Sequence, residues 1–289
     1  MRFDPDDFRI EPGERARLRR RPTRVKPLYK SEKQYRDLLD DDVKALSELQ
    51  RLLYASSTYA LLLVFQAMDA AGKDGAIAHV LSGVNPEGCE VFSFKQPSAE
   101  ETGHDFLWRT TCRMPARGRI GVFNRSYYEE VLVAKVHPGV LKAQHLPPEL
   151  IDEHRVWEGR YRSIVEFERH MHRNGTRILK FYLHLSKGEQ KRRFLDRIDE
   201  PSKNWKFSLN DVKERKFWGR YMDAYDECLS ATSIKGAPWY AVPADDKLNA
   251  RLIVSRVVIN ELKGLKMAYP SLTAARREEL RAIGRRLSA

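Results

Sequence analysis

The sequence predicts an α/β protein with a mostly parallel sheet of about five strands flanked by helices. Three observations lead there. The run Ala60-Leu61-Leu62-Leu63-Val64-Phe65 is apolar without polar alternation, which suits a strand covered on both faces. Segments of helical spacing separate this run from the other strand-like runs, and strands separated by helices make parallel βαβ units. The residues of greatest chemical character fall directly after the apolar runs, at the carboxyl edge where parallel sheets collect ligands. With 289 residues, 42% of them hydrophobic, the chain can bury the core of one large domain.

Residues 1–30 are polar and rich in Pro and Arg, with Arg15, Arg17, Arg19, Arg20, Arg21 and Arg24 close together, and are expected as a basic extension. Such a segment is either an arm for a polyanion, or a solvated tail or an arm lying on a neighbouring subunit. Ser31 with Gln34 then forms a capping box, and Tyr35, Leu38, Leu39, Leu46, Leu49, Leu52 and Leu53 recur at helical spacing up to the first strand. Glu90 to Phe94 is expected as a second strand, and Ser98 with Glu101 caps a helix running towards Arg113. Ile120-Gly121-Val122-Phe123 is a third strand. A long helix is expected from near Ile151 to Asn174, and a fourth strand from Thr176 to Leu185. Ser186 with Glu189 caps a further helix, and Ser208 with Asp211 opens another reaching towards Ser230. Trp239-Tyr240-Ala241-Val242 is the fifth strand, followed by Asp245-Asp246-Lys247 and a last core helix through Leu265. The domain then spans 31–265, and residues 266–289 form a basic tail.

After the first strand comes a turn of small residues and then a helix beginning near Lys73. Gly72 lets the backbone approach a ligand, and the helix start turns its free N–H groups and positive dipole end towards it, so this is a phosphate cradle. The pattern G-x-x-x-x-G-K-[ST] is met at Gly72 and Lys73 but not at Ala67, where Gly is expected, nor at Asp74, where Ser or Thr would hold magnesium. Asp69, inside the loop, is the carboxylate left to hold a metal.

The formal net charge of +12 and isoelectric point near 9.6 favour an anionic partner, whether nucleic acid, a membrane surface or a phosphate-rich substrate. Cys89, Cys112 and Cys228 lack C-x-x-C spacing, so neither a disulfide framework nor a zinc site is indicated, and a reduced cytoplasmic protein is expected. The amino terminus has no apolar leader core, and the apolar runs are far short of a membrane span.

Three separated stretches together resemble the second family of polyphosphate kinases. They are Met68-Asp69-Ala70-Ala71-Gly72-Lys73-Asp74-Gly75, then Asn124-Arg125-Ser126-Tyr127-Tyr128-Glu129-Glu130, and the span from Glu189-Gln190 through Arg193, Trp205-Lys206, Asp211, Arg215 and Trp218 to Ala237-Pro238-Trp239. The resemblance runs from roughly Lys26 to Leu265. It implies a P-loop kinase fold like that of thymidylate kinase, with a helical lid at about 187–230, and transfer of the terminal phosphate of polyphosphate to nucleotides, reversibly, with magnesium or manganese. A homo-oligomer, dimer or tetramer, is expected, with no nucleic-acid partner, since the basic residues are dispersed, and no membrane partner. Many members begin the second motif Asp-Arg-Ser. Asn124-Arg125-Ser126 with Glu129 resembles the subgroup that accepts both nucleoside monophosphates and diphosphates.

On this footing the expected catalytic residues are Asp69, Lys73, Arg125 and Glu129. Asp69 ligates metal or orients the acceptor phosphate, and Asn124, Arg125 and Glu129 bind the nucleotide. The expected phosphate contacts are Ala70, Ala71, Gly72, Lys73, Asp74, Gly75, Lys95, Arg109, Arg193 and Arg197. Arg193 and Arg197 fall one helical turn apart and can face one anion, against the alternative of a solvated face. Lys95 and Arg109 stand against plain surface charge, and Glu129 against an acidic residue that merely suits a helix start. His79, His104 and His184 lack ligand spacing and are read as structural; Trp205, Phe207, Phe217, Trp218 and Tyr221 are read as lid packing. Two rival functions share the loop: an ATP-using kinase, and a nucleic-acid-binding P-loop protein, which would show a continuous basic stripe with interleaved aromatics.

Overall fold

The computed structural model describes residues 4–152 and 155–288. In chain order its main elements are β1 (Arg9–Ile10), α1 (Glu32–Ser56), β2 (Ala60–Gln66), α2 (Lys73–Val80), β3 (Cys89–Ser93), α3 (Ala99–Thr102), α4 (Trp108–Thr111), β4 (Ile120–Asn124), α5 (Glu129–Val136), α6 (Pro138–Lys142), α7 (Arg155–Arg173), β5 (Thr176–His184), α8 (Lys187–Asp199), α9 (Leu209–Glu214), α10 (Trp218–Thr232), β6 (Trp239–Pro243), α11 (Lys247–Gly264) and α12 (Ala274–Leu287). The strands form one sheet in the order β1-β6-β5-β2-β4-β3. Five of them are parallel, and β1 closes one edge antiparallel, with Ile10 opposite Trp239.

The apolar run lies at the centre. Every residue of β2 is buried, between β5 on one side and β4 on the other. Side chains alternate faces along a strand, so Leu61, Leu63 and Phe65 pack towards α1, α2 and α11 with Leu53, Ile77 and Ile253. Leu62 and Val64 pack on the other face with Val131 of α5, Ile164 of α7 and Leu229 of α10. A strand that must satisfy two apolar layers has no polar alternation, and that is the pattern the sequence carries.

The predicted helix starts hold. The hydroxyls of Ser31, Ser98, Ser186 and Ser208 each accept an N–H two or three residues on. Several extents differ. The helix expected from Ser98 to Arg113 is two short helices, α3 and α4, broken where the Asp105 carboxylate accepts the Leu107 N–H at 2.9 Å. The helix expected from Ile151 is α7, and the Glu153 and His154 of that expectation lie outside the described residues. The stretch from Ser208 to Ser230 is α9 and α10 with a 3-10 turn at Arg215–Phe217 between them.

The amino-terminal segment is not a free extension. Leaving aside Met1 to Phe3, outside the described residues, it adds β1 to the sheet and buries Ile10 and Leu18. It then docks along α10 and the end of β6. The Leu18 N–H donates to Asp226 at 2.6 Å, Arg19 pairs with Asp223 at 2.7 Å, and the Thr23 hydroxyl donates to Asp245 at 2.8 Å. The expected basic tail carries α12, capped by Thr273, with none of its residues buried. Among the described residues no helix is long and apolar enough to cross a membrane.

Candidate active site

Beyond β2 the chain turns through Ala67–Gly72 into α2. Ala70 and Gly72 have φ of 62° and 103°, and Gly72 suits its left-handed position because it has no Cβ. The loop is held from outside by α8. The Gln190 amide donates to the Asp69 carbonyl at 3.0 Å, and Arg193 Nη1 donates to the carbonyls of Ala70 and Ala71 at 3.0 and 2.9 Å. In a planar trans peptide the N–H points opposite to its C=O, so tying these carbonyls to α8 turns the amides of Ala70 and Gly72 away from it. Lys73 curls back over the loop, its Nζ donating to the Ala67 carbonyl at 3.0 Å. Burial lowers the Lys73 pKa, against the opposing pull of Asp69.

The end of β4 lies beside this loop. Arg125 takes a left-handed φ of 63°, a strain of about 1–3 kcal/mol for a non-glycine residue that its surroundings must impose. Its N–H donates to the Phe65 carbonyl at 3.1 Å, and its guanidinium stands 3.9 Å from the Asp69 carboxylate. The Asn124 amide donates to the Asp74 carboxylate at 2.7 Å. Gln66, oriented by the surrounding hydrogen bonds, donates to Glu129 at 2.8 Å and accepts from the Ser126 N–H and hydroxyl. Burial raises the Glu129 pKa, opposed by Arg125 and then Lys73. Glu129 therefore sits behind Arg125 at the start of α5, in a place compatible both with a helix-start carboxylate and with the site.

Together these elements wall a cleft of about 710 Å³. The loop from Asp69 to Ala76, with Lys95, Asn124 and Arg125, lines one part; Arg197, Lys203, Trp205, Lys206 and Asp211 line another; Lys247 and Arg251 of α11 stand beside the loop. Gln66, Lys203, Lys206, Lys247 and Arg251 were not among the expected site residues, although Lys206 and Lys247 lie in stretches singled out in the sequence. Lys247 and Arg251 carried one usable signal, an i, i+4 cation pair directly past the fifth strand.

The structure moves three expectations. Arg193 is 3% exposed and its donors are committed to protein: beyond the two loop carbonyls, Nε donates to Glu189 at 2.8 Å and Nη2 to the carbonyls of Ala244 and Asp245 at 2.6 and 3.3 Å. It braces the loop and does not share an anion with Arg197, which points to Asp211 at 3.4 Å. Arg109 is neither surface charge nor cleft lining. Its guanidinium is buried over the Phe94 ring and donates to the Lys95 carbonyl at 2.8 Å and to Glu130 at 3.3 Å, so it holds the strand end that carries Lys95. Trp205 is 79% exposed and lines the cleft, with the Lys206 ammonium 4.9 Å from its ring, whereas Phe207 does pack, edge-on to Phe194.

Among the described residues no group of three or more His, Cys, Asp or Glu side chains is arranged to hold a metal. Magnesium usually keeps several waters and binds one or two carboxylates plus substrate phosphates, so the single loop carboxylate Asp69 fits an ion that arrives with phosphate. A strand, a braced loop, a helix-start lysine and a cationic cleft can receive phosphate chains and hold two phosphates in line.

The family model described as polyphosphate kinase 2 matches residues 29–270. The chain is 60% identical over 280 residues, 97% of each chain, to an ADP-polyphosphate phosphotransferase of Rhodopseudomonas palustris. It is 42% identical over 270 residues, 93% of this chain and 90% of the other, to an AMP/ADP-polyphosphate phosphotransferase of Meiothermus ruber. The crystal structure of polyphosphate kinase 2 from Arthrobacter aurescens TC1 superposes with a TM-score of 0.85 at 38% identity, covering 96% of each chain.

Proposed function

The chain belongs to the polyphosphate kinase 2 family, and from that premise we propose that it moves the terminal phosphoryl group of inorganic polyphosphate onto nucleoside mono- and diphosphates, AMP giving ADP and ADP giving ATP, reversibly. The observation that carries this reading is the cleft itself. Lys73 and Arg125 face Asp69 at its floor, Lys247 and Arg251 add charge beside the loop, and Arg197, Lys203 and Lys206 extend the positive lining outward, as a chain of phosphates requires.

Phosphoryl transfer asks for in-line placement and charge neutralisation. Lys73 and the loop amides hold the transferred phosphate, Arg125 the acceptor phosphate, and Lys203 and Lys206 the outer donor phosphates. Asp69 would hold magnesium or manganese, which when bound neutralises charge between donor and acceptor. The lid is the segment 187–230, with its root pinned at Arg193 and its outer part, from Arg197 to α9, free to close. The protein acts in the cytoplasm as a homo-oligomer, dimer or tetramer, without nucleic acid; its three cysteines are unpaired thiols, which suits a reducing compartment.

Purified protein given polyphosphate, Mg²⁺ and ADP, with no ATP, should form ATP. An ATP-using kinase would form none, and that outcome would overturn the donor assignment. The donor's apparent affinity should also fall steeply between low and moderate salt, because a polyanion bound by many cations releases counterions. A flat salt response in polyphosphate KM would point to a compact donor.

Acceptor range turns on Glu129. A monophosphate places one phosphate by the loop and a diphosphate two, so the acceptor must shift while its reacting oxygen stays in line. Glu129 is held by Gln66 and coupled electrostatically to Arg125, and on this reading it biases where that guanidinium rests. Glu129→Asn should change the ratio of kcat/KM for AMP and ADP severalfold while the melting temperature moves little. Equal losses for both acceptors across a magnesium titration would reduce Glu129 to a helix-start residue.

A further inference from the structure

Behind the acceptor side of the cleft lies an ion pair that the transfer chemistry does not use. Lys180 of β5 and Glu168 of α7 are both fully buried, with Nζ and Oε2 2.6 Å apart. All three ammonium donors are engaged: besides Glu168 they reach the Tyr128 hydroxyl at 2.9 Å and the Thr232 carbonyl at 2.7 Å. The other carboxylate oxygen, Oε1, accepts from the hydroxyls of both Tyr127 and Tyr128 at 2.8 Å. The ammonium also lies over the rings of Tyr128 and Trp239.

An ion pair with no access to water gives up much of its Coulomb gain to desolvation, and apolar residues of similar volume are often as stable, so stability alone does not account for it. What such a network does is fix position. Tyr127 and Tyr128 are the two residues between Ser126 and Glu129. Adjacent side chains on a helical turn diverge, yet these two converge on one oxygen atom, which leaves the segment no rotation about its own axis. On one side of the pair is Arg125, in its left-handed conformation; on the other is Glu129, where α5 begins. The same ammonium ties the last turn of α10, the helix that closes the lid segment, to the same point.

We propose that the buried Lys180–Glu168 pair, acting through the hydroxyls of Tyr127 and Tyr128, is a positioning device that sets Arg125 and Glu129 for the acceptor nucleotide. Neither member touches substrate. The inference rests on the assignment of Arg125 to the acceptor side, and it concerns the acceptor alone: the donor cations Lys203 and Lys206 stand on another element.

The test uses Tyr127→Phe, Tyr128→Phe and the double Phe variant, which keep the rings and remove only the hydroxyls. ADP dissociation constants are measured by calorimetry without donor, alongside kcat and KM for ADP and for polyphosphate and the melting temperature. The double variant should bind ADP at least about tenfold more weakly and lose kcat/KM for ADP by a similar or larger factor, with polyphosphate KM within about twofold of wild type. A merely structural pair would lower the melting temperature and leave ADP binding and KM unchanged in the folded variants, which would overturn the proposal. Glu168→Leu with Lys180→Met replaces the ions by apolar groups of similar size and removes the oxygen that both hydroxyls share. It should recover thermal stability relative to Glu168→Leu alone without recovering ADP affinity; wild-type ADP affinity in that protein would also overturn the proposal. The donor-free measurement keeps the two readings apart. Wild-type protein that binds ADP but makes no ATP from polyphosphate removes the proposed donor, while the ADP affinities of the Phe variants still decide the role of the pair.

Discussion

Lys73→Met should reduce phosphoryl transfer from polyphosphate by about a thousandfold or more, because the lysine supplies a fixed charge to the moving phosphoryl group at the floor of the cleft. Its fold should be unharmed. The Lys73 ammonium packs on the Ala67 carbonyl, and burial holds its pKa below the ordinary 10.5. A lysine whose folded pKa is lowered binds its proton more tightly in the unfolded chain, so its charge weakens the ligand-free fold at neutral pH. Stability rises with pH wherever the unfolded state holds more protons, so wild-type protein should gain stability as pH climbs through the window between the lowered folded pKa and 10.5. The Met variant should lack that gain and melt at neutral pH no lower than wild type. Activity assays beside melts at several pH values are decisive: a folded Met variant that keeps more than a small fraction of activity removes the loop from the chemistry.

Arg193→Met should damage stability and activity together, which separates a brace from an anion contact. The substitution strips hydrogen bonds from four carbonyls and from Glu189, and breaking a buried charged network by removing one partner costs about 3–5 kcal/mol. The loop amides then lose their fixed direction, and misplacement of this kind can cost about a hundredfold in rate. Arg193→Lys should recover little, since a point-like ammonium cannot span carbonyls on two sides of the cleft floor as a planar fork does. If Arg193 were instead a free donor contact, Arg193→Met would raise polyphosphate KM and leave the melting temperature where it was. The brace also has a pH signature. The Glu189 carboxyl is held down to about 2 by hydrogen bonds from Arg192 and Arg193, against the opposing effect of burial. A depressed carboxyl contributes stability that is complete above its unfolded value of 4.5 and is lost as pH falls through about 2, so this contribution drains away on the acid side alone.

The two arginines that were misjudged show how far linear patterns reach. Arg193 and Arg197 stand four residues apart, and spacing puts them on one helix face; it says nothing of what that face meets. In the folded chain the first meets the carbonyls of residues more than a hundred positions upstream and the second meets Asp211. Arg109 is expected at a phosphate because it is a cation between the second and third strands, and it is buried away from the cleft because Lys95 and Glu130 are brought to it from either side. Trp205 looked like packing because large aromatics pack, and it is exposed because the short turn Pro201–Lys206 carries it out over the cleft.

The amino-terminal strap failed for a related reason. Two residues of strand, with Ile10, Ala16 and Leu18 as scattered apolar anchors, have no period to detect, and their stabilising contacts are with α10 and β6, over 200 residues away. Its arginines are expected as a basic extension, and the partner of Arg19, Asp223, lies far along the chain.

What the sequence determined by itself was local. A strand buried on both faces must be apolar throughout, a helix start must satisfy its own N–H groups within three residues, and a phosphate loop must put a small turn and a lysine between the two; each constraint is written within about ten consecutive positions. The tertiary structure alone decided which of the many cations reach the cleft and which serve as braces. It also decided that Lys180 and Glu168 are buried against each other behind Tyr127 and Tyr128. A long charged side chain takes the role of whatever acceptor lies within its reach, and in a wound parallel sheet that acceptor comes from a different turn of the chain.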